Sequence, residues 1–167
     1  PFIMAGINTR VVRRTNELLN QIYGEDFRYD EGSITGKGPG GFIGATTSGL
    51  VTGGMSGMAA FSPTRTLMQK FLPKPGEGPS EETMEKGYFE VELLGIHPND
   101  RSKDLRVWVE GDKDPGYRST SKMIAESAMA LAQDNLNVGG GFWTPASAMG
   151  DSLIKRLPDA GVTFKVI

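Results

Sequence analysis

Apolar residues recur at helical spacing early in the chain. Val11, Leu18, Leu19 and Ile22 follow Asn8 and Thr9, either of which can cap a first turn, so a helix is predicted to about Tyr23, closed by Gly24. Phe27 to Thr35 alternates aromatic and β-branched residues with polar ones and predicts a strand. Gly36 to Gly41 predicts a turn. Phe42 to Phe61 is small and apolar and reads as helix, although each interior glycine costs roughly 1 kcal/mol against alanine. Ser62-Pro63 opens a short helix over Thr64 to Phe71. Leu72 to Pro79 is a loop, because its prolines and glycines deny both regular states. Ser80-Glu81-Glu82 begins a helical turn. Tyr88 to His97 and Leu105 to Gly111 read as strands, and the loop Pro98 to Asp104 makes them an antiparallel hairpin. In the second strand Leu105, Val107 and Val109 share one face, Arg106 and Trp108 the other. Gly116 to Asn135 is a helix with Ile124, Ala128 and Leu131 as its inward stripe. Thr144 caps a last helix to about Leu157, with Pro145 at its first position, where a missing N–H costs nothing. Val162 to Ile167 is a closing strand. The order lacks regular βαβ alternation, so the expected class is α+β, a largely antiparallel sheet packed with helices.

Composition narrows the function classes. At 167 residues the chain fits a single domain, 1–167. Eighteen Lys and Arg against 20 Asp and Glu leave a net charge of −2, which gives no basic footprint for nucleic acid. The absence of cysteine excludes disulfides, thiolate nucleophiles and Cys-ligated zinc, and it suits a reducing, cytoplasmic setting. No signal-peptide pattern is present. Pro1, entering at once the apolar Phe2-Ile3-Met4-Ala5, reads as the start of a piece cut from a longer protein.

Several segments carry candidate chemistry. Gly36-Lys37-Gly38-Pro39-Gly40-Gly41 satisfies G-x-G-x-x-G, but the residues before it are too polar for a buried strand. No acidic residue follows until Glu77, and Pro39 removes an amide that a phosphate would use. A glycine turn is the better reading. Residues 38–64 carry no charge, and Gly49, Gly53 and Gly57 repeat at the spacing of close helix packing. This run is read first as a buried or interface helix; a flap over a cavity and a membrane contact stay open. His97, the one histidine, sits in the hairpin turn and reads as solvated. No nucleophile elbow occurs, and Asp112 with Asp114 is a weak case for a metal. Arg10 and Arg14 share a helix face and could hold a carboxylate or phosphate, as could the helix start at Trp143 and Thr144. Tyr117 and Arg118 open a hydroxyl-rich helix. These six residues are the candidate substrate contacts.

Four stretches together resemble a known family. They are Pro1-Phe2-Ile3-Met4 with Ile7-Asn8-Thr9-Arg10-Val11-Val12-Arg13-Arg14; Leu72-Pro73-Lys74-Pro75-Gly76-Glu77-Gly78-Pro79-Ser80-Glu81; Asp114-Pro115-Gly116-Tyr117 with Lys122-Met123; and Gly141-Phe142-Trp143-Thr144-Pro145-Ala146. In order and across nearly the whole chain, they look like the C-terminal region of the saccharopine dehydrogenase-like oxidoreductases, the group that includes trans-acting enoyl reductases. The resemblance implies a two-part enzyme. An N-terminal Rossmann domain, absent from this chain, would bind NADP or NAD. This part would supply cavity walls and subunit contacts in a homo-oligomer. It also implies that no cofactor is bound by these residues and that the chain alone is inactive; with no clustered His or carboxylates, no metal is expected either. The apolar segment Phe42 to Phe61 suits an enoyl thioester or lipid-like substrate better than a polycarboxylate. The rival expectation is a non-enzymatic interaction or membrane-associating module working through residues 38–64.

Overall fold

The structure, a computed structural model, describes residues 2–74 and 76–167. Those residues are α+β: six helices and one three-stranded antiparallel sheet. The described residues divide into two compact units, Pro1–Gly78 and Pro79–Ile167.

The first unit holds α1 (Ala5–Leu18), α2 (Gly38–Ala60) and α3 (Ser62–Met68), with α2 packed against α3. Helix α1 stops five residues before the predicted end at Tyr23. The cause is local: Asn20 and Gln21 adopt left-handed backbone, φ 53° and 59°, and the Gln21 amide turns back to the Asn16 carbonyl at 2.7 Å. The buried Asn16 side chain then clamps the loop, accepting from the Tyr23 amide at 2.8 Å and donating to the Gly24 carbonyl at 3.1 Å. The strand expected over Phe27 to Thr35 is corrected. Its Phe27, Tyr29, Glu31 and Thr35 are the half-buried positions, but the segment joins no sheet. The alternation records which side faces inward; a strand also needs a ladder partner. The turn expected over Gly36 to Gly41 is shorter, since α2 begins at Gly38. Gly41 must lack a side chain, because a Cβ there would collide with the Gly36 carbonyl, and Thr35 Oγ1 ties the junction by donating to the Gly41 carbonyl at 3.0 Å. Helix α2 exposes bulky residues, Phe42, Ile43, Leu50 and Val51 among them.

The second unit runs α4 (Glu81–Lys86), β1 (Phe89–Gly95), β2 (Leu105–Gly111), α5 (Arg118–Gln133), α6 (Pro145–Arg156) and β3 (Val162–Val166). Ser80 caps α4 by accepting from the Thr83 amide at 3.2 Å. The sheet order is β1-β2-β3. Glu92 lies opposite Trp108, which lies opposite Lys165, and Leu93 opposite Val107, which lies opposite Val166. The predicted hairpin is present, and its loop is built by His97. The His97 amide donates to Asp104 Oδ1 at 2.9 Å, and its Nδ1 accepts from the Asn99 and Asp100 amides at 3.3 and 3.0 Å. The histidine is thus a turn-former with its Nδ1 lone pair in use. A short 3-10 turn, Arg101–Lys103, completes the loop under Asp100, which accepts from the Ser102 amide.

The inward stripe of α5 is also corrected. Ile124 and Leu131 are 65% and 61% exposed, whereas Ser119 and Ala130 are fully buried and Met123, Glu126 and Ser127 half-buried. The buried face is rotated from the one chosen by hydrophobicity, because its polar members are satisfied locally. Ser119 Oγ donates to the Lys113 carbonyl at 2.9 Å and Ser127 Oγ to the Met123 carbonyl at 2.7 Å. Asp114 caps α5, accepting from the Tyr117 and Arg118 amides at 2.9 and 3.0 Å, and these amides hold its carboxyl below the usual range. Helices α5 and α6 pack together. Arg156 locks them: it forks onto Asp134 with contacts of 2.9 and 2.5 Å and reaches Glu126 at 3.3 Å.

Candidate functional site

A cleft of about 610 Å³ opens where α5 ends and α6 begins. Its walls are built by the glycine-rich connection between them. Trp143 Nε1 donates to the Gly139 carbonyl at 2.9 Å, folding the three-glycine loop back on itself. Thr144 and Ser147 then form a capping box. Thr144 Oγ1 accepts from the Ser147 amide at 3.4 Å, and Ser147 Oγ accepts from the Thr144 amide at 3.0 Å. Inside α6 the helical path breaks at Met149, φ −145° and ψ 26°, which turns this buried side chain into the cleft lining.

The lining is mainly apolar: Leu131, Leu136, Val138, Trp143, Pro145 and Met149 surround the backbone of Gly139 to Gly141. Asp134 is the one ionisable residue of the lining, and Arg156 keeps it a carboxylate. Their hydrogen bonds lower its pKa to about 2 and raise that of the guanidinium. The carboxylate is therefore already paired and is no proton donor near neutral pH. The cleft can hold an apolar group, with Asn135 and glycine backbone offering hydrogen bonds at its rim; it holds no free general acid or base.

The six predicted substrate contacts are scattered. Trp143 and Thr144 lie in the cleft wall. Tyr117 and Arg118 stand at the opposite end of α5, about 24 Å away for 16 residues at the usual helical rise. There Tyr117 is exposed, and Arg118 Nε lies 3.3 Å from Glu85. Glu85 also pairs with Lys113 at 2.6 Å, and that hydrogen bond lowers its pKa. Arg10 and Arg14 belong to the other unit, where Arg14 pairs with Glu17 at 3.1 Å. Leu136, Val138 and Met149 were missed by sequence reasoning. The signal available was the pair of apolar residues set among Asn and Gly just before the glycine run, a composition that reads as loop. Leu131, assigned inward, borders the cleft.

Two other candidates resolve as structural. Asp112 pairs with Lys122 at 2.7 Å, which lowers its pKa, and Asp114 is the cap described above. Among the described residues no group of side chains could hold a metal ion. Residues 36–41 do not fit a dinucleotide. No strand leads into them, and Pro39, in the first turn of α2, has no amide to offer. No described helix is long and apolar enough to cross a membrane.

The chain is similar along its length to reductases from mycobacteria. It is 40% identical over 170 residues to the Mycobacterium tuberculosis (strain H37Rv) protein named "Putative trans-acting enoyl reductase Rv2449c", covering 98% of this chain and 40% of the relative. It is 38% identical over 168 residues to a trans-acting enoyl reductase of Mycobacterium bovis (strain BCG / Pasteur 1173P2), with 98% of this chain and 40% of the relative covered. To that of Mycobacterium ulcerans (strain Agy99) it is 37% identical over 167 residues, with 96% and 39% covered. The chain thus spans about two-fifths of the length of these relatives. No family model matches the chain, and no solved structure matches it significantly.

Proposed function

We propose that this chain is the C-terminal, substrate-cavity part of a longer enoyl reductase of the saccharopine dehydrogenase-like type. In this reading the full protein reduces the C=C bond of an apolar enoyl substrate, and it works in the cytoplasm as a homo-oligomer. The 40% identity over 98% of the chain to a relative named for that activity carries the proposal. Two features of the chain support the division of labour. The Gly36–Gly41 turn does not fit a dinucleotide, so the nicotinamide cofactor, NADP or NAD, is assigned to a Rossmann domain outside these residues. The cleft beside α6 offers apolar walls without a free acid or base, which suits holding a substrate tail rather than activating it. These residues alone therefore bind and do not turn over. Calorimetric titration of the full-length protein with NADPH and NADH tests the reading. Saturable binding of one of them, with none by the 167-residue chain, is the expected result. A full-length protein that binds neither refutes it.

One observation favours a second reading. Helix α2 is uncharged and exposes Leu50 at 72% and Phe42 at 75%, which suits a partner or membrane surface. Co-sedimentation with vesicles, abolished by Leu50→Asp, is the outcome that would favour it; indifference to vesicles counts against it.

A further inference from the structure

The sheet of the second unit has two unlike faces. Glu90, Glu110 and Thr163 form one row of the first face, and Glu92, Trp108 and Lys165 the next. The second face is apolar in every row: Val91 with Val109 and Phe164, then Leu93 with Val107 and Val166. It is covered at one end only. Val162 is 2% exposed, but Phe164, Leu93 and Val166 are 38%, 46% and 66% exposed. Only Leu94, opposite Arg106 on the first face, breaks the alternation, and such a pattern belongs to a sheet whose apolar face lies against a second layer.

We infer that this face docks the part of the full-length polypeptide that lies outside these 167 residues, as an inter-domain contact through apolar side chains. The inference rests on the reading of the chain as part of a longer enzyme. Size decides between the occupants. Three strands about 4.8 Å apart, two of seven residues and one of five, make a face of at most roughly 14 by 23 Å, about 300 Å². A stable interface between separate chains needs about 800 Å² from each side, so a second copy held by this face alone falls well short. A covalently tethered layer needs far less area, because the tether raises its effective concentration to the order of millimolar. The relatives supply such a layer: the aligned region is 40% of each, so three-fifths of their length is available to cover the face.

The test places a photo-cross-linking p-benzoylphenylalanine at Leu93, or at Val166, in the full-length protein. The same probe at Glu92, on the polar face, is the control. Illumination is followed by a denaturing gel and peptide mapping. The expected result is a cross-link from position 93 or 166 that keeps the mass of one chain and maps to sequence outside residues 1–167, with little from position 92. A product of doubled mass assigns the face to a second copy and overturns the inference. So does a cross-link back into residues 1–167, and so does an absence of cross-links at both apolar positions, which means an open face. None of these failures touches the nicotinamide titration, which tests the enzyme reading separately.

Discussion

Thr144→Ala is the perturbation most directly tied to the cleft. Thr144 and Ser147 are 9% and 8% exposed, and their hydroxyls also bond each other at 2.9 Å. Removing the threonine oxygen takes the capping acceptor from the Ser147 amide. Loss of such a cap costs about 1 kcal/mol, within a range of roughly 0.5–2. Ser147→Ala removes a buried hydroxyl that bonds the Thr144 amide, worth about 1 kcal/mol. For a unit of this size, 1 kcal/mol lowers Tm by roughly 4–8 °C. Thermal unfolding followed by circular dichroism should show that drop for Thr144→Ala and a much smaller one for Thr144→Ser, which keeps the oxygen. Because each hydroxyl serves the other's amide, the double variant should lose less than the sum of the singles, by at least about 0.5 kcal/mol. Strict additivity, or a Thr144→Ala protein that melts with the parent, would refute the reciprocal cap as the element that sets the start of α6.

Acid should release the α5–α6 lock. The unfolded Asp134 titrates near the ordinary 3.8 and the folded one at about 2, so its contribution is complete above about pH 5 and lost as pH falls through 2. Asp134→Asn should flatten that part of an acid-unfolding curve. Gly111→Ala would drive a Cβ into the Phe89 ring and should destabilise by about 1–3 kcal/mol in denaturant titration, with Phe89→Leu partly rescuing it. Gln21→Gly, at φ 59°, should stabilise by up to about 1 kcal/mol, the reverse of the usual glycine effect. Leu136→Arg in the cleft wall should weaken binding of an apolar dye such as anilinonaphthalene sulfonate, without a matching loss of Tm.

Elements whose signals are local were legible in the sequence. The strand Leu105–Gly111 matches residue for residue, and the Thr144-Pro145 helix start appears as predicted, because cap, proline and alternation all act within a few residues. The failures have non-local causes. Phe27 to Thr35 has a strand's alternation without a partner to pair with. In α5 the hydrophobic stripe pointed away from the face that is buried, since Ser119 and Ser127 satisfy themselves against nearby carbonyls and can be sequestered cheaply. The cleft was half legible: Trp143 and Thr144 stood out in the glycine run, whereas Leu136 and Met149 reach it through a loop path and a helix break that no periodicity encodes.

The folded-back glycine loop has a spectroscopic consequence. The chain has two tryptophans, Trp108 on the polar sheet face bonded to Glu110 at 2.7 Å, and Trp143 at the cleft. With Trp108 replaced by phenylalanine, the remaining indole emission comes from one ring whose N–H is tied to the Gly139 carbonyl. Its wavelength and anisotropy then report the hydration and rigidity of that loop alone, so occupancy of the cleft becomes an optical signal that needs no label and no knowledge of the reaction.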